Sequence, residues 1–177
     1  MPTTVQGYRL MARHTRYPLH VGITEAGPPP AGTIRSAVGI GILLHQGIGD
    51  TIRVSLTSHP REEVRAAWDI LKSLNLRQHG PVLVSCPTCG RCDVNLLGLV
   101  AEVAERLKAL SSPLKVAVMG CEVNGPGEAR EADVGLAAGK GRGIIFKKGE
   151  KVRTVDEAHF LEELMAVVAE MEESHGN

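Results

Sequence analysis

Residues 17–56 read YPLHVGITEAGPPPAGTIRSAVGIGILLHQGIGDTIRVSL, and this stretch decides the fold of the first half of the chain. Its apolar, proline and glycine patterns predict a strand, a loop, a helix and a second strand, over 17–24, 25–32, 36–45 and 50–56. Two further helices are predicted on either side of this stretch, over 5–14 and 58–75. Helices and strands that alternate in this way are typical of an α/β fold with a parallel sheet.

The second half of the chain is predicted to mix strands with two long helices. Strands are predicted over 81–85 and 114–120, and strand segments joined by glycine turns over 132–139 and 141–155. Helices are predicted over 94–110 and 155–173. Thr154 and Glu157 form a capping-box pattern ahead of the last helix. We place a domain boundary near residue 78, so that the first domain spans 1–78 and the second spans 79–177.

The composition argues against several classes of function. The 177 residues include 20 lysines and arginines and 20 aspartates and glutamates, so the net charge is zero. This balance and an aromatic content of 3% argue against a nucleic-acid surface. No segment reaches the roughly 20 apolar residues of a membrane span, and the N-terminus lacks a signal-peptide pattern. We therefore expect a cytoplasmic protein, whose reduced cysteines are better suited to metal binding than to disulfides.

Most of the cysteines lie together in VSCPTCGRCDV, residues 84–94. Cys86, Cys89 and Cys92 follow one another at C-x2-C-x2-C spacing, and Cys121 ends the next predicted strand. This pattern is similar to the ligand spacing of bacterial ferredoxins and favours an iron–sulfur cluster. Structural zinc is the alternative, although its usual second pair of Cys or His ligands is missing. Buried thiols without a metal are the third interpretation.

A candidate oxygen ligand follows Cys121 in the segment CEVNGPGEAREAD. The Asn-Gly-Pro-Gly sequence at 124–127 predicts a tight turn that could bring Glu128 back towards Cys121. A carboxylate is a harder ligand than a thiolate and is more easily displaced by substrate. The other interpretation of Glu128 is a solvated side chain near a helix start.

Four segments of the chain closely resemble one enzyme family. They read PLHVGITEAG, SAVGIGILLHQGIGDTIRVSL, SCPTCGR and VMGCEVNGPGEAREADVG, and they occur in matching order and spacing. The resemblance runs from about Val5 to about Val168 and is to 4-hydroxy-3-methylbut-2-enyl diphosphate synthase, the IspG or GcpE family. It implies an iron–sulfur oxidoreductase that reductively opens 2-C-methyl-D-erythritol 2,4-cyclodiphosphate. Loss of water then gives 4-hydroxy-3-methylbut-2-enyl diphosphate, in the non-mevalonate isoprenoid pathway, with flavodoxin or ferredoxin as the electron donor.

The resemblance also implies the cofactor and its ligands. A 4Fe-4S cluster would be held by Cys86, Cys89, Cys121 and Glu128. Cys92 has no counterpart in the family's pattern and could compete with Glu128. A cluster with four cysteine ligands would make the protein a non-catalytic electron-transfer protein. A carboxylate ligand favours catalysis instead, because catalytic metal sites keep a position that substrate can enter.

The family's fold implies further site residues. Its first domain is a TIM barrel, whose active site lies at the C-terminal ends of the strands. Glu25, just past the first strand, resembles the family's catalytic acid/base residue. Arg53 and Ser55, at the end of the second strand, resemble diphosphate ligands, and Asn124 would contact substrate beside the cluster. The second domain would be an α+β cluster domain similar to those of sulfite and nitrite reductases.

The predicted barrel is incomplete. An eight-stranded barrel takes about 250 residues, whereas only two strands are predicted before residue 78. We expect the last part of a TIM-type barrel followed by the complete cluster domain. Residues 1–75 should be unstable alone, because strand edges and apolar faces would be exposed. The family's active site forms between two subunits, so we expect a homodimer or a partner that supplies the missing barrel, and little turnover by this chain alone.

Overall fold

The computed structural model of the chain describes residues 1–121 and 125–175. The chain divides into two compact units, Met1–Gln78 and His79–Asn177. The elements of the first unit are α1, β1, α2, β2 and α3, at Pro2–His14, His20–Ile23, Ala31–His45, Thr51–Val54 and Pro60–Ser73. The strands of the second unit are β3 (Val82–Ser85), β4 (Lys115–Met119), β5 (Val134–Ala138), β6 (Arg142–Lys147) and β7 (Glu150–Asp156). Its helices are α4 (Leu96–Leu107), α5 (Gly125–Arg130) and α6 (Phe160–His175).

The first unit is a parallel two-stranded sheet with its helices packed on one face. β1 and β2 pair with Val21 opposite Ile52 and Ile23 opposite Val54. Burial alternates along both strands, so these apolar side chains point to the helical side. The buried core consists of Val5, Val21, Ile23, Ala26, Ile40, Leu43, Val54, Ala66 and Ile70. The α/β alternation predicted from the sequence is confirmed.

The helix α2 begins earlier than predicted, at Ala31 rather than at residue 36. Its first turn is already hydrogen-bonded, from Gly32 N to Pro28 O at 2.8 Å and from Ile34 N to Pro30 O at 3.1 Å. Prolines fit at this end of a helix because the first-turn N–H groups have no intrahelical acceptor. The predicted loop over 25–32 is therefore shorter than the proline content indicated.

Part of the apolar surface of the first unit is exposed. Ile34, Val38 and Ile42 stand four residues apart on α2 and are 61%, 49% and 37% exposed. Leu10 and Met11 of α1 are exposed as well. The sheet of this unit has two strands, so each strand keeps one unpaired edge. Apolar stripes and open edges of this kind are surfaces that folded proteins normally bury.

The second unit is built on a mixed five-stranded sheet in the order β3-β4-β5-β6-β7. β3, β4 and β5 are parallel, and β6 and β7 extend the sheet as antiparallel neighbours. The turns before β6 and β7 contain Gly141 and Gly149 at φ values of 73° and 84°, which favour glycine. The predicted glycine-joined strands are thereby confirmed. In the described parts of the chain, no helix is long and apolar enough to span a membrane.

The two faces of this sheet are covered unequally. On one face α4 and α6 bury the larger core, which includes Val103, Val118, Leu136, Ile145, Phe160, Leu164 and Val168. On the other face the short helix α5 covers a smaller cluster formed by Ala117, Met119, Ala129, Ala132, Ala137 and Phe146. Arg130 of α5 places its guanidinium 5.4 Å from the centre of the Phe146 ring, in a cation–π contact. The short helix is therefore anchored by small side chains and one aromatic ring.

The capping box predicted ahead of the last helix is wrong. Thr154 lies in β7 opposite Ile144, and α6 begins only at Phe160, after a single 3-10 turn. The carboxylate of Glu157 instead accepts a hydrogen bond from the backbone N–H of Gly141, with an N–O distance of 3.2 Å. Tertiary pairing along β6 and β7 outweighs the local helix-start signal, because it satisfies backbone groups along the whole strand.

The tight turn predicted over 124–127 is also corrected, because the helix α5 already begins at Gly125. Pro126 fits the first turn of a helix, where its missing N–H costs nothing. A Cβ built on Gly125 would lie 3.0 Å from the Met119 Cβ and 3.4 Å from the Ala137 Cβ, so glycine permits a close approach to the sheet. Asn124 lies outside the described residues.

Candidate functional site

Two cysteine-bearing segments meet at one edge of the second sheet. β3 and β4 are parallel, and Ser85 stands opposite Val118. Cys86 follows directly after β3, and Cys121 follows β4 by two residues. Because the carboxyl ends of neighbouring parallel strands lie at the same edge, the topology brings these two segments together, although they are far apart in the sequence.

Gly120 joins the two segments. Its backbone N–H donates a hydrogen bond to Cys86 Sγ at 3.3 Å, and its carbonyl accepts one from Asp93 N at 3.3 Å. A Cβ built on Gly120 would lie 2.7 Å from Cys92 Sγ and 3.0 Å from Leu96 Cδ2. A contact of 2.7 Å is too close for a real Cβ, so a side chain at position 120 would require Cys92 to shift.

The three closely spaced cysteines have different surroundings. Cys86 and Cys92 are half-buried and pack against the larger core, whereas Cys89 is exposed. Cys92 Sγ donates a hydrogen bond to Val94 O at 3.4 Å, and its backbone N–H donates to Cys89 O at 3.0 Å. Cys121, by contrast, is 7% exposed. The loop is therefore ordered by its own hydrogen bonds and by the core beneath it.

The structure brings only some of the predicted cluster ligands to the same sheet edge. Glu128 is exposed on α5, and Cys89 is exposed on its loop. Across residues 1–121 and 125–175, no three His, Cys, Asp or Glu side chains converge as ligands of one metal ion. The donor chemistry at this edge nevertheless suits an iron–sulfur cluster, because cysteines follow two neighbouring parallel strands there and a backbone amide donates to Cys86 Sγ.

The predicted residues of the first unit lie at the carboxyl edge of its own sheet. Ile23 and Val54 end β1 and β2 opposite each other, so Glu25 and Ser55 both follow that edge. Arg53 is exposed and lies on the sheet face opposite the helices, one residue before the end of β2. Its neighbour across the strand pair is Gly22. A phosphate group could therefore approach Arg53 from the open face.

The two loops at this edge are tied to the helices. Arg35 Nη1 donates to Ala26 O at 2.7 Å, and Leu56 N donates to the carboxylate of Glu63 at 2.8 Å. The backbone of Thr57 donates to Gly27 O at 3.1 Å, which joins the two loops directly. Glu25 itself is exposed. Its φ of 56° lies in the left-handed region, which is unfavourable for residues other than glycine.

Two features of the second unit were not predicted from the sequence: the role of Gly120 and a cleft. The signal for Gly120 was a glycine at the end of an apolar strand directly before a cysteine, which marks close backbone approach. The cleft has a volume of about 330 Å³ and is lined by Pro126, Ala137, Arg142, Gly143, Ile144, Lys151 and Thr154. Its residues come from three strands and α5, so no local pattern in the sequence points to it.

Fold and site together define a two-unit α/β protein with a thiol-bearing sheet edge in its second unit. Residues 1–68 match the GcpE TIM-barrel domain, and residues 82–170 match the GcpE protein C-terminal domain. The chain belongs to the GcpE family, as the sequence motifs indicated.

Several curated proteins are similar to almost the whole chain. Three of them carry the name 4-hydroxy-3-methylbut-2-en-1-yl diphosphate synthase (flavodoxin). The protein from Dehalococcoides mccartyi is 58% identical over 171 residues, which make up 97% of this chain and 49% of that protein. The proteins from Geobacter sulfurreducens and Brevibacillus brevis are 61% and 56% identical, over 95% and 97% of this chain and 48% of their own lengths. The chain thus spans about half the length of the curated relatives that it matches.

Proposed function

We propose that the chain is the C-terminal portion of a 4-hydroxy-3-methylbut-2-enyl diphosphate synthase and that its second unit holds a 4Fe-4S cluster. The observation that carries this proposal is the meeting of the Cys86 and Cys121 segments at Gly120. Cys86, Cys89, Cys121 and Glu128 would be the ligands. The names of the relatives do not favour the alternative, a non-catalytic electron carrier with four cysteine ligands.

The reaction of the intact enzyme is the reductive opening of a cyclic diphosphate. 2-C-Methyl-D-erythritol 2,4-cyclodiphosphate takes up two electrons and two protons, loses one water and gives 4-hydroxy-3-methylbut-2-enyl diphosphate. The cluster, when bound, would supply these electrons singly to the substrate. A flavodoxin, which the relatives' names include, or a ferredoxin would be the electron donor. The protein would act in the cytoplasm, where thiols stay reduced.

The residues of the first unit would bind and orient the substrate. Arg53, exposed on the open sheet face, would donate paired hydrogen bonds to a phosphate group, and the Ser55 hydroxyl would donate another. Glu25, at the same edge, would exchange a proton with the substrate. Asn124, which precedes α5, would contact the substrate beside the cluster.

We further propose that residues 1–78 are the last part of a TIM-type barrel and that residues 79–177 are a cluster domain of the sulfite and nitrite reductase kind. The unpaired outer edges of β1 and β2 support the first assignment, because further strands of a closed barrel would pair with them. A homodimer, or a partner carrying the missing strands, would then complete the active site. Strong hydrogen-exchange protection throughout residues 17–75 in a proven monomer would contradict this.

Iron and sulfide analysis tests the cluster assignment. The chain is reconstituted anaerobically, and we expect about four irons and four sulfides per chain. Alanine at Cys86, Cys89 or Cys121 should lower both contents several-fold, and Glu128→Ala should weaken cluster retention. Alanine at Cys92 is the matched control and should leave both contents unchanged. A colourless chain that binds one zinc ion would overturn the proposal.

Turnover tests the substrate assignment separately. The reconstituted chain is incubated with the cyclodiphosphate and a chemical reductant, alone and together with the N-terminal half of the Geobacter sulfurreducens relative. We expect little product from the chain alone and product when the missing half is present. Equal turnover in both reactions would contradict the incomplete-barrel proposal while leaving the cluster assignment intact.

A further inference from the structure

We propose that Cys92 is a positioning residue: its thiol packs under Gly120 and holds the Gly120 amide in place to donate to the sulfur of Cys86. This inference rests on the proposed function in one respect, since it takes Cys86 to be a cluster ligand. It assigns a role to the one cysteine that the family pattern leaves without a counterpart.

The surroundings of Cys92 are those of a packed side chain. Its Sγ donates to the carbonyl of Val94 at 3.4 Å, and the residue is half-buried against the larger core. The same sulfur lies 2.7 Å from the position of a Cβ built on Gly120, so a side chain there would collide with it. A thiol in this place fills the space under the glycine and is already directed at a backbone acceptor.

Gly120 transmits this packing to Cys86. Its amide donates to Cys86 Sγ at 3.3 Å, and its carbonyl accepts from Asp93 N at 3.3 Å, one residue after Cys92. Gly120 therefore contacts the loop through its carbonyl, Cys92 Sγ beside its α-carbon, and Cys86 Sγ through its amide. A shift of Cys92 would move the donor of the only hydrogen bond to Cys86 Sγ given by the described residues.

An amide hydrogen bond to a ligand sulfur affects the reduction potential of a cluster. Hydrogen bonds to the sulfurs are among the factors that set this potential. The positive end of the N–H dipole stabilises the state of the cluster with more negative charge, which is the reduced state. By holding the Gly120 amide against Cys86, Cys92 raises the potential without binding iron.

The test is a redox titration of the anaerobically reconstituted full chain and its variants. Cys92→Ala should keep the iron and sulfide content of the unsubstituted chain and shift the potential to a more negative value. Cys92→Ser, which retains a donor for Val94 O, should shift the potential less than Cys92→Ala does. Gly90→Ala is the control in the same loop, because a Cβ at Gly90 meets nothing within 4 Å, and it should leave the potential unchanged.

A double substitution tests the contact itself. Gly120→Ala should lower iron content at least twofold, because the added methyl group collides with Cys92. The double variant Cys92→Ala with Gly120→Ala should recover most of the iron, because the colliding sulfur is removed. Three results would overturn the proposal: loss of iron in Cys92→Ala, an unchanged potential in that variant, or no recovery in the double variant.

Failure of the proposed function would be recognised separately. If the unsubstituted chain binds no cluster, the function proposed above fails. Thermal unfolding then measures the coupling between positions 92 and 120 without a cluster. The four proteins compared are the unsubstituted chain, Cys92→Ala, Gly120→Ala and the double variant. Gly120→Ala should lower the Tm, and the double variant should regain it. Additive effects of the two substitutions in that experiment would overturn the positioning role as well.

Discussion

Gly22 and Arg53 stand opposite each other in the parallel pairing of β1 and β2, and a Cβ at Gly22 would lie 2.7 Å from the carbonyl oxygen of Arg53. The same Cβ would lie 3.4 Å from the Arg53 Cβ. Glycine at this position therefore allows the strands to pair closely and leaves the space beside the Arg53 side chain open. The position of Arg53, the candidate phosphate-binding residue, therefore depends on the glycine at position 22.

Gly22→Ala should separate the strands locally and destabilise the first unit by about 1–3 kcal/mol, the usual range for overpacking. Hydrogen exchange of the amides in β1 and β2 measures the effect, with the N-terminal half of the Geobacter sulfurreducens relative present to complete the barrel. Gly41→Ala is the matched control, because a Cβ there meets nothing within 4 Å and alanine favours a helix interior by roughly 1 kcal/mol. Equal protection of β1 and β2 in Gly22→Ala and the unsubstituted chain would contradict the role assigned to Gly22.

Glu25→Gly should stabilise the first unit while removing a proposed catalytic group. Glu25 has a φ of 56°, a conformation that costs an ordinary L-residue roughly 1–2 kcal/mol and costs glycine little. We expect higher stability in chemical denaturation and loss of turnover when the missing half of the enzyme is supplied. Glu25→Gln keeps the backbone cost and loses the carboxylate, so it should lose turnover without gaining stability. Retained turnover in Glu25→Gly would rule out the proton-transfer role.

Ser36→Ala should leave the first unit as stable as before or stabilise it by about 1 kcal/mol. Ser36 is fully buried in α2, and its Oγ has no hydrogen-bond partner among the described residues. A buried hydroxyl without a partner carries an uncompensated desolvation cost, and alanine is the better helix former. Thermal unfolding checks this expectation. A clear fall in Tm would mean that the hydroxyl is hydrogen-bonded in solution.

The second unit should depend on pH through Glu170. The hydrogen bond from Lys147 Nζ at 2.9 Å, and then the charge of Lys147, hold the pKa of Glu170 below its ordinary value of 4.5. Desolvation opposes this shift, and the charge of Arg153 adds to it. A lowered folded-state pKa contributes stability above the unfolded pKa, and this contribution is lost as the pH falls through the folded pKa.

Glu170→Gln should therefore destabilise the second unit slightly at neutral pH, and the difference should vanish well below pH 4.5. The effect is small because the pair is exposed to solvent. Denaturant unfolding at several pH values measures it, with Glu173→Gln, an exposed position on the same helix, as the control. A difference that grows as the pH falls would contradict the sign of the pKa shift.

Much of the fold follows from patterns that are local in sequence. The strands 20–23 and 51–54 are bounded by proline, glycine and polar residues, and α3 has proline and two glutamates in its first turn. The last helix could not be placed in this way. Thr154 carries a good helix-start signal, but it pairs with Ile144 in the sheet, and pairing between strands depends on residues that lie outside any local window.

The candidate site was predictable as a set of residue types and only partly as an arrangement. The cysteine spacing and Glu128 predict thiolate and carboxylate ligands from the sequence. The hydrogen bond from Gly120 to Cys86, and the packing of Cys92 under Gly120, depend on β3 and β4 ending at the same edge of the sheet. That relationship joins residues 34 positions apart, so it emerges only with the tertiary fold.

We propose that three thiolates and the carboxylate of Glu128 hold the 4Fe-4S cluster. The most direct test is the Mössbauer spectrum of the chain reconstituted anaerobically with iron-57. The ligand set predicts two environments in a ratio of three irons to one, with the minor one altered in Glu128→Ala and unaffected in Cys92→Ala. A single thiolate-type environment for all four irons that is lost in Cys92→Ala would contradict the claim and would identify Cys92 as the fourth ligand.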